Sequence, residues 1–106
     1  MPAPSNPKKQ SLMPSTPLRR RLRGAGHALS PVVQLGKEGT TEAVRKQILG
    51  ALADHELIKI KLGSECPQDR FEVAAWAAGE TGVQVAQILG RTLLLYKRDP
   101  EAARFG

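Results

Sequence analysis

Between Leu57 and Leu62 the chain alternates: Ile58, Ile60 and Leu62 point one way, Lys59 and Lys61 the other. A period of two predicts a strand with one buried face and one face near water, ended by Gly63 and Ser64. Upstream, Val44, Ile48, Ala51 and Leu52 recur at i, i+4, i+7 and i+8, the apolar stripe of a helix, with Glu42, Arg45 and Lys46 on the wet side. Thr40 or Thr41 can cap that helix. Pro31-Val32-Val33-Gln34-Leu35 reads as a strand. Residues 18–27 read as a short helix, with Pro17 suited to its first turn and Gly24 and Gly26 weakening its end.

Downstream, Pro67 opens a helix that runs to about Thr81, with Gly82 as its stop. Val73, Ala74, Ala77 and Ala78 form a small-residue stripe suited to packing on a sheet. Trp76 lies off that stripe and reads as a packing residue at its edge. Two strands finish the pattern, one ending in Ala86-Gln87-Ile88-Leu89 and the other Thr92-Leu93-Leu94-Leu95-Tyr96. Gly90-Arg91 between them fits a two-residue hairpin with Gly at the first turn position. The alternation of Val83 and Val85 slips phase before Ile88, which predicts a bulge or a late strand start.

The order is helix, strand, helix, strand, helix, strand, strand. Strands separated by helices are expected to be parallel with right-handed crossovers, and the last strand antiparallel. The expected fold is a two-layer α/β domain with a four-stranded mixed sheet. Its 106 residues suit one domain, here residues 18–98. Residues 1–17 hold five of the eight prolines and predict a disordered basic arm, and 99–106 a short frayed tail.

Charge changes this picture. Residues 1–37 hold seven basic residues and no acidic one, while 38–106 hold nine basic and ten acidic residues. A one-sided basic half favours an anionic partner, nucleic acid or an acidic membrane surface, although a solubilising tail has the same composition. Arg19, Arg20, Arg21 and Arg23 crowd one short helix and repel unless an anion neutralises them. Cys66 is the only cysteine, which excludes an intramolecular disulfide and a Cys cluster for metal; it reads as a plain residue leading into a helix. No apolar run reaches the roughly 18–20 residues of a membrane span. No apolar run follows the N-terminal charges as in a secretory signal, so the expected location is the cytoplasm.

No catalytic site assembles from this pattern: His27 and His55 stand far apart without metal-ligand spacing, and no nucleophile–base constellation is visible. His55, within Asp54-His55-Glu56, reads as a surface residue at a helix end. The expectation is a non-enzyme without a cofactor. The informative element is Gly36-Lys37-Glu38-Gly39, between a strand and a helix start. Two glycines let a ligand approach the backbone, and a helix N-terminus suits phosphate. KH domains clamp nucleic-acid backbone with a GXXG loop of this kind. Taken alone, two glycines three apart also fit an ordinary turn.

Residues 22–39, 55–61, 80–82 and 87–98, in that order, resemble the CRM domain (chloroplast RNA splicing and ribosome maturation) in its stand-alone, bacterial YhbY-like form. The motifs are LRGAGHALSPVVQLGKEG, HELIKIK, ETG and QILGRTLLLYKR. The resemblance implies a domain like the C-terminal domain of translation initiation factor three. It implies RNA binding through the GXXG loop (Gly36, Lys37, Glu38, Gly39) and nearby basic surface. Arg19, Arg20, Arg21, Arg23 and Lys37 are expected on one surface, together with some of Lys59, Lys61, Arg91, Lys97 and Arg98. For the stand-alone form it implies ribosomal RNA in precursors of the large ribosomal subunit as partner, and the single copy favours that role over splicing. A monomer is expected. The competing expectation is a protein–protein adaptor whose charge serves solubility; it predicts an exposed apolar patch and weak salt sensitivity. The Pro-rich arm and the Ala-rich, Trp-containing third helix depart from the commoner family pattern.

Overall fold

The computed structural model describes residues 14–98 and Phe105. The expected arm over 1–17 and tail over 99–106 therefore lie for the most part outside the described residues. Helix α1 (Thr16–Gly26) is followed by β1 (Pro31–Leu35), α2 (Glu42–Asp54), β2 (Leu57–Leu62), α3 (Arg70–Thr81), β3 (Gln84–Leu89) and β4 (Thr92–Tyr96). The sheet is mixed, in the order β1-β2-β4-β3. Strands β1 and β2 are parallel, and β4 pairs antiparallel with both β2 and β3. As expected, β1, β2 and β3 run the same way; β4 returns between β2 and β3 instead of adding to an edge.

Local chemistry sets the element ends. The Thr41 hydroxyl accepts the Val44 N–H at 3.1 Å and caps α2. Helix α3 starts at Arg70, three residues beyond the expected Pro67, because Asp69 forms a capping box with Glu72. The Glu72 N–H donates to Asp69 Oδ1 at 2.8 Å, and the Asp69 N–H to Glu72 Oε1 at 3.3 Å. Gly82 ends α3 in the left-handed conformation. In the hairpin Leu89 faces Thr92, and Gly90 takes φ 58°. The slip before Ile88 is a bulge: register shifts between Val85 and Gln87, leaving Ala86 unpaired.

Two cores result. Ile58, Ile60 and Leu62 of β2 join Leu93 and Leu95 of β4, Val33 and Leu35 of β1, and the stripes of α2 and α3. Trp76 packs half-buried against this cluster, as expected. On the opposite face Leu22 of α1 sits over Leu57, Ala86, Leu94 and Tyr96. The expected two layers are thus three, helices covering both faces. Leu57, Leu94 and Tyr96 share the lysine-side parity of their strands, and that face is apolar at one end and basic at the other. Burying Leu22 is worth roughly 1.5–3 kcal/mol to the docking of α1. Gly26 lets the helix come this close: a Cβ there would run into Leu94 Cδ1 and lie 2.7 Å from its Cδ2. Phe105 packs edge-on against Tyr96, ring centroids 6.3 Å apart.

Candidate nucleic-acid interface

The parallel strands β1 and β2 end side by side, and three connections meet there. The Gly63 N–H donates to the Leu35 carbonyl at 2.7 Å, and the Leu62 N–H to the Arg91 carbonyl at 2.8 Å. The GXXG segment after β1, residues 63–69 after β2, and the β3–β4 hairpin therefore form one end of the molecule.

The GXXG segment is a tight turn, with the Gly39 N–H on the Gly36 carbonyl at 2.9 Å. Lys37 and Glu38 stand exposed at its tip. The two glycines serve different ends. Gly39 takes φ 67°, and a Cβ on it would meet Gln68 Oε1 and come within 2.9 Å of Pro67 Cγ, so the fold itself requires glycine. Gly36 has no positive φ, and a Cβ on it would meet nothing within 4 Å. Its bare backbone is open to a ligand.

The expected helix-start amide cluster is narrower than the sequence suggested. The Gly39 N–H is held within the turn, the Thr40 N–H donates to Gln68 Oε1 at 3.1 Å, and the Val44 N–H goes to the Thr41 cap. The exposed tip amides of Lys37 and Glu38 make no hydrogen bond among the described residues. The acidic role in the first turn of α2 belongs to Glu42, paired with Arg45 at 2.9 Å, and not to Glu38.

The basic candidates separate by position. Lys61 pairs with Gln34 of β1 and Thr92 of β4, which puts it near the loop end with Lys37 and Arg91. Lys59, half-buried, lies one pleat back on the same face. Around α1, at 100° per residue, Arg19 and Arg23 share the flank of Gly26, Arg20 points outward, and Arg21 lies on the other flank. Arg19 is half-buried. Lys97 and Arg98 do not join the loop end. Strand β4 runs against β2, so its exit lies beside the start of β2, and the Lys97 N–H donates to the Glu56 carbonyl at 2.9 Å. Roughly 16 Å of strand separates the two ends. Burial and the nearby Glu56 raise the Tyr96 hydroxyl above its usual range, against the opposing pull of Arg98 and Arg21. Arg21 and Arg98 therefore share the far end, and the expected single surface divides in two.

Two further residues at the loop end escaped the sequence reading. Phe71 is 59 % exposed, and the Arg70 guanidinium lies over its ring, 5.0 Å from the centroid. The available signal was an aromatic off the Val73-Ala74-Ala77 stripe, beside an arginine. His27 and His55 are both exposed, and no grouping of His, Cys, Asp or Glu among the described residues suits a metal ion.

A family model described as the CRS1/YhbY (CRM) domain matches residues 15–97. The chain belongs to the CRM domain family. A Bacillus subtilis relative of this CRM domain, named "Probable RNA-binding protein YqeI", is 37% identical over 83 residues, 78% of this chain and 86% of the relative. A Haemophilus influenzae relative, named "RNA-binding protein", is 38% identical over 88 residues, 83% of this chain and 89% of the relative. The solution structure of SAV1595 from Staphylococcus aureus superimposes with a TM-score of 0.72 at 27% identity, covering 89% of this chain and all of that one. The fold is thus that of a CRM domain, built on the α/β sheet anticipated from the hydrophobic pattern.

Proposed function

We propose that this CRM domain binds RNA without catalysing a reaction, that its partner is ribosomal RNA in precursors of the large ribosomal subunit, and that it acts as a cytoplasmic monomer. One observation carries the reading. Helix α1 and the sheet face beside it present Arg19, Arg20, Arg23, Lys59 and Lys61, with Arg21 on the far flank, and no Asp or Glu lies in α1 or at the matching positions of β2 and β4. Such one-signed charge suits a polyanion. The exposed Lys37 turn, with the open backbone of Gly36, adds a phosphate contact at the edge of that face. The names of the relatives point the same way, and the relatives are little longer than the matched region, which suits the stand-alone form.

The adaptor reading asks for one contiguous apolar patch. Among the described residues the large apolar side chains left exposed lie apart instead: Val32 and Leu89 on opposite edge strands, Phe71 on α3. The deciding experiment is sedimentation of cell extract at low and high salt, followed by probing the ribosomal fractions. Co-migration with large-subunit precursors that is lost at high salt supports the proposal. Migration with free protein at both salts refutes the ribosomal assignment.

A further inference from the structure

The loop end holds a second surface beside the GXXG turn. A cleft of about 560 Å³ opens between the 63–69 segment, the start of α3 and the hairpin, walled by Pro67, Gln68, Arg70, Phe71 and Arg91. From this cleft we infer that Phe71 and its flanking arginines form a stacking subsite for one unpaired nucleobase of single-stranded RNA. The inference rests on the RNA-binding reading and names the form of RNA the loop end takes.

Three observations converge on it. First, the Phe71 ring has no place in either core: it points away from the buried stripe of α3 and touches the Arg70 guanidinium instead. An exposed ring with a cation over it is a surface on which a base can stack whatever its identity. Second, both arginines are held in place by backbone. Arg70 Nη1 donates to the Gly90 carbonyl at 3.3 Å, and Arg91 Nη1 to the Gly63 carbonyl at 3.0 Å. Each guanidinium carries five N–H donors, so most remain for phosphate or base edges. Neither forms an ion pair among the described residues, and the nearby carboxylates of Asp69 and Glu72 are engaged in the α3 capping box. Third, Gln68 joins the cleft to the GXXG turn: it walls the cleft and takes the Thr40 N–H. A strand whose phosphate meets the Lys37 turn would thus find a stacking surface next to it. Paired bases cannot enter, because their faces are already stacked in the duplex.

Fluorescence anisotropy on the full chain tests this with two labelled RNAs, an unstructured single strand and a duplex of the same composition. Phe71→Leu keeps the apolar bulk and removes the ring. It should weaken single-strand binding by about 5- to 100-fold, while duplex binding and the salt slope stay at parental values. Phe71→Trp should retain single-strand binding. Unchanged single-strand affinity in Phe71→Leu would overturn the subsite. An equal loss on duplex would overturn it as well. A variant with Lys37 and Glu38 both replaced by Asp separates the two readings. If that variant loses binding and Phe71→Leu does not, only the subsite fails; if the parent binds neither RNA, the RNA-binding reading fails with it.

Discussion

Gln68 reaches across 28 positions of sequence to take the Thr40 N–H, and its side-chain oxygen fills the space that a Cβ on Gly39 would need. The shape of the GXXG turn is therefore set from outside, by the segment that leads into α3. This gives the two glycines separable roles. Gly39→Ala should cost about 1–3 kcal/mol, from the left-handed φ and the collision with Gln68, read as a lower denaturation midpoint. Gly36→Ala should leave stability within about 0.5 kcal/mol while weakening RNA binding. Parental RNA affinity in Gly36→Ala would show that the turn has only a structural role.

The tip itself is tested by charge. Replacing both Lys37 and Glu38 with Asp should cut RNA affinity sharply and barely move Tm, because both side chains are exposed. Parental affinity for precursor RNA in that variant would shift the binding surface to the sheet face or α1.

The arginines of α1 predict a graded salt response. Each phosphate contact removed should flatten the log–log salt dependence by roughly 0.7 on single-stranded RNA. Arg20→Ala combined with Arg21→Ala tests the outward face and far flank, and Arg23→Ala with Lys61→Ala tests the face toward the loop end. If neither pair changes the slope, the basic face does not touch phosphate.

Much of this was legible beforehand, for a physical reason. Ile58 and Ile60 are buried and Lys61 exposed because a strand's period of two is local, and the Ala86 bulge showed itself as a broken period. What long-range pairing decides was not legible. Nothing local to Thr92–Tyr96 says that β4 enters between β2 and β3, and that placement carries Lys97 and Arg98 away from the loop end. Leu22, one apolar residue among arginines, gives little sign that α1 covers a second face. At the loop end the GXXG turn was anticipated. Phe71 was not, because an off-stripe aromatic becomes informative only once the hairpin brings Gly90 and Arg91 to Arg70.

The second core gives a stability prediction. Leu22→Ala should lower unfolding free energy by about 2–5 kcal/mol, and Gly26→Ala by about 1–3 kcal/mol through overpacking against Leu94. Chemical denaturation measures both. Losses below 0.5 kcal/mol in both would mean that α1 is not docked.

Tyr96 predicts the alkaline behaviour. Its hydroxyl is buried with no hydrogen-bond partner among the described residues, and burial holds its folded pKa above the ordinary tyrosine value of 10.0. A raised folded pKa gives stability that is fully present below pH 10.0 and lost as pH climbs through the folded value. Tyr96→Phe should remove that alkaline decline without lowering stability at neutral pH. Identical pH profiles for parent and variant would refute the assignment.

The position of β4 also bears on how the domain comes into being. A central strand that is last in chain order leaves β3 without a sheet neighbour, and β1-β2 as an isolated pair, until residue 96 is available. An isolated pair of strands is at best marginally stable. During synthesis the nascent chain thus reaches its final hairpin before either core can close, and both cores then close around one strand. The domain is built to fold after its last strand has left the exit tunnel, so chains truncated before Thr92 should remain unfolded and protease-sensitive.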